Sequence, residues 1–203
     1  MQEHPKRYLP LAALAATVVV SVICVPAHAR EHVWSATLHS GPFTNRRFTD
    51  VFARGEFVPV AAVIGLAVDR RFFRLGWGFH LEGEAQITQH FYGLSGTAFD
   101  LGIGIRFDDF PWSDSRPSSF ALYAGPSYST NPPTIVESSG NTGGLGQSFN
   151  TLIYVSAEFA VALSETTAWD AVARYYHRSS AYGLFKPPID EGQAVTLGIR
   201  KRF

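Results

Sequence analysis

The chain has 203 residues, and 17 basic against 17 acidic side chains leave it without net charge. With no basic run anywhere, nothing marks it as a partner of nucleic acid. A single cysteine, Cys24, excludes a disulfide framework, and the length suits one domain.

The first 29 residues read as a signal peptide. Lys6 and Arg7 form a positive start, Leu9 to Val25 an apolar core, and Ala27-His28-Ala29 a small-residue cleavage site. A membrane anchor is the rival reading, since the apolar run approaches a span in length. Pro10, Pro26 and the Ala-x-Ala end favour cleavage after Ala29. Cys24 does not make a lipoprotein site, because the bulky Ile23 precedes it. Residues 30–203 then form the mature domain, without a cysteine, and an exported chain of that kind must be held together by a closed architecture.

From there the chain alternates with period two, the signature of strands. Eight segments are expected, near 33–41, 58–71, 75–91, 97–107, 118–129, 149–163, 168–178 and 193–203, with no convincing helical periodicity between them. The clearest sets Phe149, Thr151, Ile153, Val155, Ala157 and Phe159 against Asn150, Tyr154, Ser156 and Glu158. Another sets Phe99, Leu101, Ile103 and Ile105 against Asp100, Gly102, Gly104 and Arg106. Connections at Arg70–Arg74, Asp108–Pro117 and Ser164–Thr167 are short or moderate. Those at Gly41–Phe57, Tyr128–Ser148 and Ser179–Gly192 are longer, with Tyr92–Gly96 a modest exception.

Two all-β architectures compete. A soluble sandwich or lipocalin-like barrel keeps its apolar face inward. A membrane barrel inverts this, and joins its strands by short periplasmic turns and longer extracellular loops. The loop lengths follow that alternation if strand one leaves the periplasm. The Gly-rich face bearing Arg and Glu suits a narrow lumen filled by side chains, and closure removes strand edges that lipid would not tolerate. The expected fold is therefore an eight-stranded antiparallel up-and-down transmembrane β-barrel. The alternating C-terminal strand ending on Phe203 resembles the signal read by the barrel-insertion machinery.

On the seventh strand, Trp169, Ala171, Ala173, Tyr175, His177 and Ser179 share one face, and Asp170, Arg174 and Arg178 the other. His177 and Ser179 thus fall on the apolar, lipid-facing side at the extracellular end. Glu191 joins them at the same height if no bulge intervenes. A serine hydroxyl becomes a useful nucleophile when a neighbouring base takes its proton, and a carboxylate orients a histidine base. Each residue also has a plain role, His and Ser at a strand–loop border and Glu191 as a solvated loop carboxylate.

The segment Tyr176-His177-Arg178-Ser179-Ser180-Ala181 resembles the His-x-Ser-Asn-Ala signature of the PagL-type lipid A 3-O-deacylases. Phe48-Thr49-Asp50, Phe110-Pro111-Trp112 and His177 to Phe185 resemble a broader PagL-like set. The resemblance implies an eight-stranded outer-membrane barrel and a hydrolase acting on lipopolysaccharide in the outer-membrane lipid, without a cofactor. His177 would be the base, Ser179 the nucleophile and Glu191, reached by counting forward without gaps, the acid. The family's Asn after the nucleophile is Ser180 here, so the backbone N–H groups of Ser180 and Ala181 are the expected oxyanion donors. The loop reads Ile189-Asp190-Glu191-Gly192-Gln193. Counting from the C-terminus puts Gln193 at the acid position, and aligning on Gly192 puts Ala194 there. The alternative function is a non-catalytic barrel with structural or surface-interaction duties.

Other residues point to structure. His80 and His90 are too far apart to form one metal site alone. Glu82 and Glu84 share a parity and pair naturally with Arg106 or Arg174 in the lumen. Phe110-Pro111-Trp112 suits an interfacial aromatic anchor, and Ser138–Gly146 a mobile loop.

Overall fold

The structure is a computed structural model that describes residues 33–44, 46, 48–92, 95–131, 149–179 and 190–203, without the side chains of 48–50 and 190–191. The signal-peptide segment, Ser180, Ala181 and the loop Ser138–Gly146 lie outside the described residues. Eight strands follow one another: β1 (Trp34–Thr44), β2 (Ala61–Gly76), β3 (Phe79–Phe91), β4 (Gly96–Phe107), β5 (Ser118–Ser129), β6 (Thr151–Ala162), β7 (Trp169–Ser179) and β8 (Asp190–Arg202). Each pairs antiparallel with the next, and β1 pairs with β8, so the sheet is a closed barrel. The seam is tied at its end by Phe203 N–H donating to the Trp34 carbonyl at 2.8 Å.

Burial follows the pleat. On β4 the exposed set is Phe99, Leu101, Ile103 and Ile105, while Asp100 and Arg106 are buried. On β8 Leu197 is 70% exposed and its neighbour Thr196 1%. The apolar side chains face outward and the charged ones inward, the inverse of a soluble barrel and the pattern of one that spans a membrane.

Ion pairs and tyrosines fill the lumen. Glu158 lies at its centre, wholly buried: Oε1 accepts from Arg106 at 3.0 Å and Arg200 at 2.8 Å, and Oε2 from Arg174 at 3.3 Å. Glu82 takes Arg106 Nε at 2.8 Å and the Tyr123 hydroxyl at 2.7 Å, and Glu84 pairs with Arg174. The expected partnership of these glutamates with Arg106 and Arg174 is thus present. Gly102 and Gly104 face inward because Tyr154 and Tyr123 occupy the space a Cβ would need. Higher up, Gln86 links His39 at 3.1 Å to Asp100 at 2.9 Å. His80 is held by Asp108 at 3.0 Å and His90 by the Gly96 carbonyl at 3.3 Å, so the two serve different places.

Three expectations are corrected. The second strand does not turn at Arg70–Arg74 but runs to Gly76, and a tight hairpin follows in which Gly76, Trp77 and Gly78 all have positive φ. Its register shifts between Arg71 and Phe73 and between Arg74 and Gly76 absorb the extra residues. The first long connection contains a short helix, α1 (Phe48–Arg54), where no helix was expected. And β8 begins at Asp190 with a bulge, so the parity count to Glu191 does not hold. At the end of the barrel where β1 starts and β8 finishes, Phe110 stacks on Trp112 with ring centroids 5.0 Å apart and meets Phe107 edge-on at 4.9 Å. That aromatic cluster matches its expected place among the short turns.

Candidate active site on the outer wall of β7 and β8

His177 and Ser179 are the last outward-facing residues of β7, at the end opposite the start of β1 and the end of β8. Both are half-buried and alternate with the inward-facing Tyr176 and Arg178. Being two apart on one strand, they are neighbours on the same face with backbones about 6.5–7 Å apart. On the β6 side His177 pairs with Val155 and Ser179 with Ile153, which places an apolar wall beside them. Arg178, between them in sequence, points inward and donates to Ser127 Oγ at 2.8 Å and to the carbonyls of Phe149 and Asn150. Those bonds fix the strand end that carries the pair.

The β8 side is set by the bulge. His177 pairs with Gln193, Arg178 with Gly192 and Ser179 with Asp190, leaving Glu191 as the extra residue between the last two rungs. Gly192 has φ 122°, a conformation that glycine alone adopts readily. A Cβ there would also collide with the Thr44 carbonyl and the Phe43 ring. Bulges re-aim side chains next to active sites, and this one brings Glu191 and Asp190 to the same strand end as Ser179.

Gln193 shares the outward rung of His177 yet is completely covered. Its Oε1 accepts from the Tyr175 hydroxyl, and its Nε2 donates to the Arg46 carbonyl at 3.0 Å. The same rung continues onto β1 at Thr44, which is equally covered and accepts from the Arg46 N–H at 3.3 Å. The cover is the β1–β2 connection. Its helix α1 lies against β8, and Phe52 meets Tyr175 of β7 edge-on at 5.3 Å. Tyr175, Thr44 and Phe52 were not foreseen as part of the site. Tyr175 had a signal, since it shares the parity of His177, but contacts from a separate connection leave no mark in strand alternation.

Among the described residues, then, the site is a His–Ser pair on the outside of the barrel, an apolar wall on one side and a capped amide rung on the other. This is a closed barrel of eight strands of the transmembrane type, with the His–Ser pair on its outward-facing surface rather than in its lumen. Two solved structures share the fold. The outer membrane enzyme PagL aligns with a TM-score of 0.55 at 12% identity, over 83% of this chain and 99% of its own. Neisserial surface protein A, NspA, aligns with a TM-score of 0.52 at 10% identity, over 85% and 98%. No protein-family profile and no curated protein matches the chain. At such identities the likeness establishes the eight-stranded barrel.

Proposed function

We propose that the protein is an outer-membrane hydrolase that removes an ester-linked acyl chain from lipid A at the outer leaflet. The observation that carries this reading is the position of His177 and Ser179, adjacent on the outer wall at the end bearing the long loops. With the short turns in the periplasm, that end faces the cell exterior, and an acyl ester of lipopolysaccharide would lie at its height. A soluble enzyme has no use for a His–Ser pair on an apolar outer face; a lipid hydrolase does.

In this mechanism Ser179 Oγ attacks the acyl carbonyl while His177 takes the hydroxyl proton. The tetrahedral oxyanion is met by the backbone N–H groups of Ser180 and Ala181. Collapse expels the sugar alkoxide, which receives the proton from His177 and leaves an acyl–Ser179 ester. Water, deprotonated by His177, then attacks that ester, and as the C–Oγ bond breaks His177 returns the proton to Ser179 Oγ and the fatty acid is released. Glu191 is the orienting acid. Gln193 lies nearer His177 in register, but its amide is engaged by Tyr175 and the Arg46 carbonyl, so it holds the cap. No cofactor enters this chemistry. Residues 1–29 act as a signal peptide cleaved after Ala29, and the insertion machinery receives the exported chain.

The second reading is a non-catalytic outer-membrane barrel with a structural or surface role. It is favoured by the register, in which the strand partners of His177 are Val155 and Gln193. Mass spectrometry of lipid A from cells expressing wild type, Ser179→Ala and His177→Ala separates the two. Loss of one hydroxyacyl group with wild type alone is the expected result. Unchanged lipid A in all three, with heat-modifiable migration confirming a folded barrel, would leave the non-catalytic reading.

A further inference from the structure

A seven-residue helix is too short to be stable by itself, so its contacts must hold it. Those of α1 are unusual for a membrane barrel. Rather than standing above the barrel mouth, the β1–β2 connection folds over the outer wall, crosses β8 and reaches β7. Thr44 and Gln193 hold its base through Arg46, and Phe52 against Tyr175 holds its far side. Tyr175 in turn donates to Gln193, so ring and amide brace each other. The position of Tyr175 is two residues before His177 on the same face.

Phe52 is not a core residue, since 60% of it stays exposed. Tyr175, which it meets, pairs with the exposed Val195, and His177 two residues on pairs with the exposed Val155, so Phe52 stands beside an apolar stretch of the outer wall. A solvated loop gains nothing from an exposed phenyl ring at such a place, whereas hydrocarbon against it removes apolar area from water. The occupant that fits is a saturated acyl chain of an outer-leaflet lipid, because the wall beside it is the one that faces lipid.

We infer that α1 is a chain-recognition element: Phe52, braced on Tyr175, touches the first methylenes of the acyl chain whose ester carbonyl lies at Ser179, and so selects which chain is accepted. The identity of the ester rests on the hydrolase reading; the contact between Phe52 and an acyl chain does not.

Two measurements test this separately. In the first, Phe52→Trp is reconstituted in vesicles of phospholipids brominated either near the ester or at the chain end, with the four native tryptophans of wild type as baseline. The added fluorescence is expected to be quenched most by bromine near the ester. An added signal that answers only to aqueous iodide overturns the inference. In the second, medium- and long-chain acyl esters in mixed micelles are given to wild type, Phe52→Ala, Phe52→Trp and Leu101→Ala, the last on a distant lipid-facing strand. Phe52→Ala should shift the ratio of kcat/KM between chain lengths by about tenfold toward longer chains, Phe52→Trp in the opposite direction, and Leu101→Ala not at all. Turnover with an unchanged ratio in Phe52→Ala overturns the inference and leaves the hydrolase reading standing. If wild type cleaves no ester, the hydrolase reading falls, and quenching alone decides whether Phe52 meets a chain. Should Phe52→Ala lose heat-modifiable migration, the quenching of Phe52→Trp and its chain-length ratio carry the test.

Discussion

Glu191 and Gln193 stand one glycine apart on β8 and are assigned different work. An amide oxygen can accept a hydrogen bond from a histidine ring N–H, but it adds no charge to stabilise the imidazolium formed during attack. Gln193 is fully covered and already bonded on both sides of its amide, which suits an anchor. Under the proposed mechanism, Glu191→Ala should lower kcat by about 10²–10⁴-fold with KM little changed. Gln193→Ala should instead raise KM and broaden the chain-length profile, with kcat reduced by less than about tenfold, because it frees the cap. Kinetics on one ester in mixed micelles distinguish the two; the reverse pattern would move the acid to Gln193. At this scale the His–Ser pair was legible, since strand parity alone put both residues on the apolar face. The acid was not, because parity counting fails across a bulge, and a bulge depends on φ at Gly192 rather than on any pattern of polarity.

The elements divide along the same line. Alternation marked all eight strands, since every rung has one side in lipid and one in a polar lumen. What it missed was local. The β2–β3 hairpin falls at Trp77–Gly78 because three successive positive-φ residues make the turn, whereas the Arg70–Arg74 stretch stays in the sheet through two register shifts. The helix α1 has no long apolar stripe to reveal it and exists through contacts with β8 and Tyr175. The β8 bulge is the element most exposed to single changes. Gly192→Ala places a methyl on a φ of 122° and against the Thr44 carbonyl, so it should cost about 1–3 kcal/mol from strain alone. Urea unfolding in liposomes should show that loss, and under the proposed mechanism ester hydrolysis should fall further than stability does, since the strand end carrying Glu191 is displaced.

For the molecule as a whole, the lumen decides what the barrel is not suited to carry. Arg174, Tyr123, Tyr154 and Glu158 are buried across its middle, and the three guanidiniums around Glu158 leave that carboxylate no exposed surface. Planar-bilayer recordings should therefore show no stable single-channel steps at moderate voltage. Glu158→Ala strands Arg106, Arg174 and Arg200 around an uncompensated space and should destabilise the barrel by about 3–5 kcal/mol, read by urea titration of heat-modifiable migration. Conducting steps in wild type would contradict a lumen built as a structural core. Composition announced such a core, through Arg and Glu alternating with aliphatic residues, but not which carboxylate would gather three arginines.

The bond from Gln193 to the Arg46 carbonyl joins residues 147 positions apart, across the seam where the first strand meets the last. Until that seam shuts, the rung of His177 and Gln193 lacks its continuation onto Thr44 of β1 and the bond to Arg46 that caps it. On the hydrolase reading proposed above, the chain would carry no finished site in transit and would gain one only when its first and last strands meet.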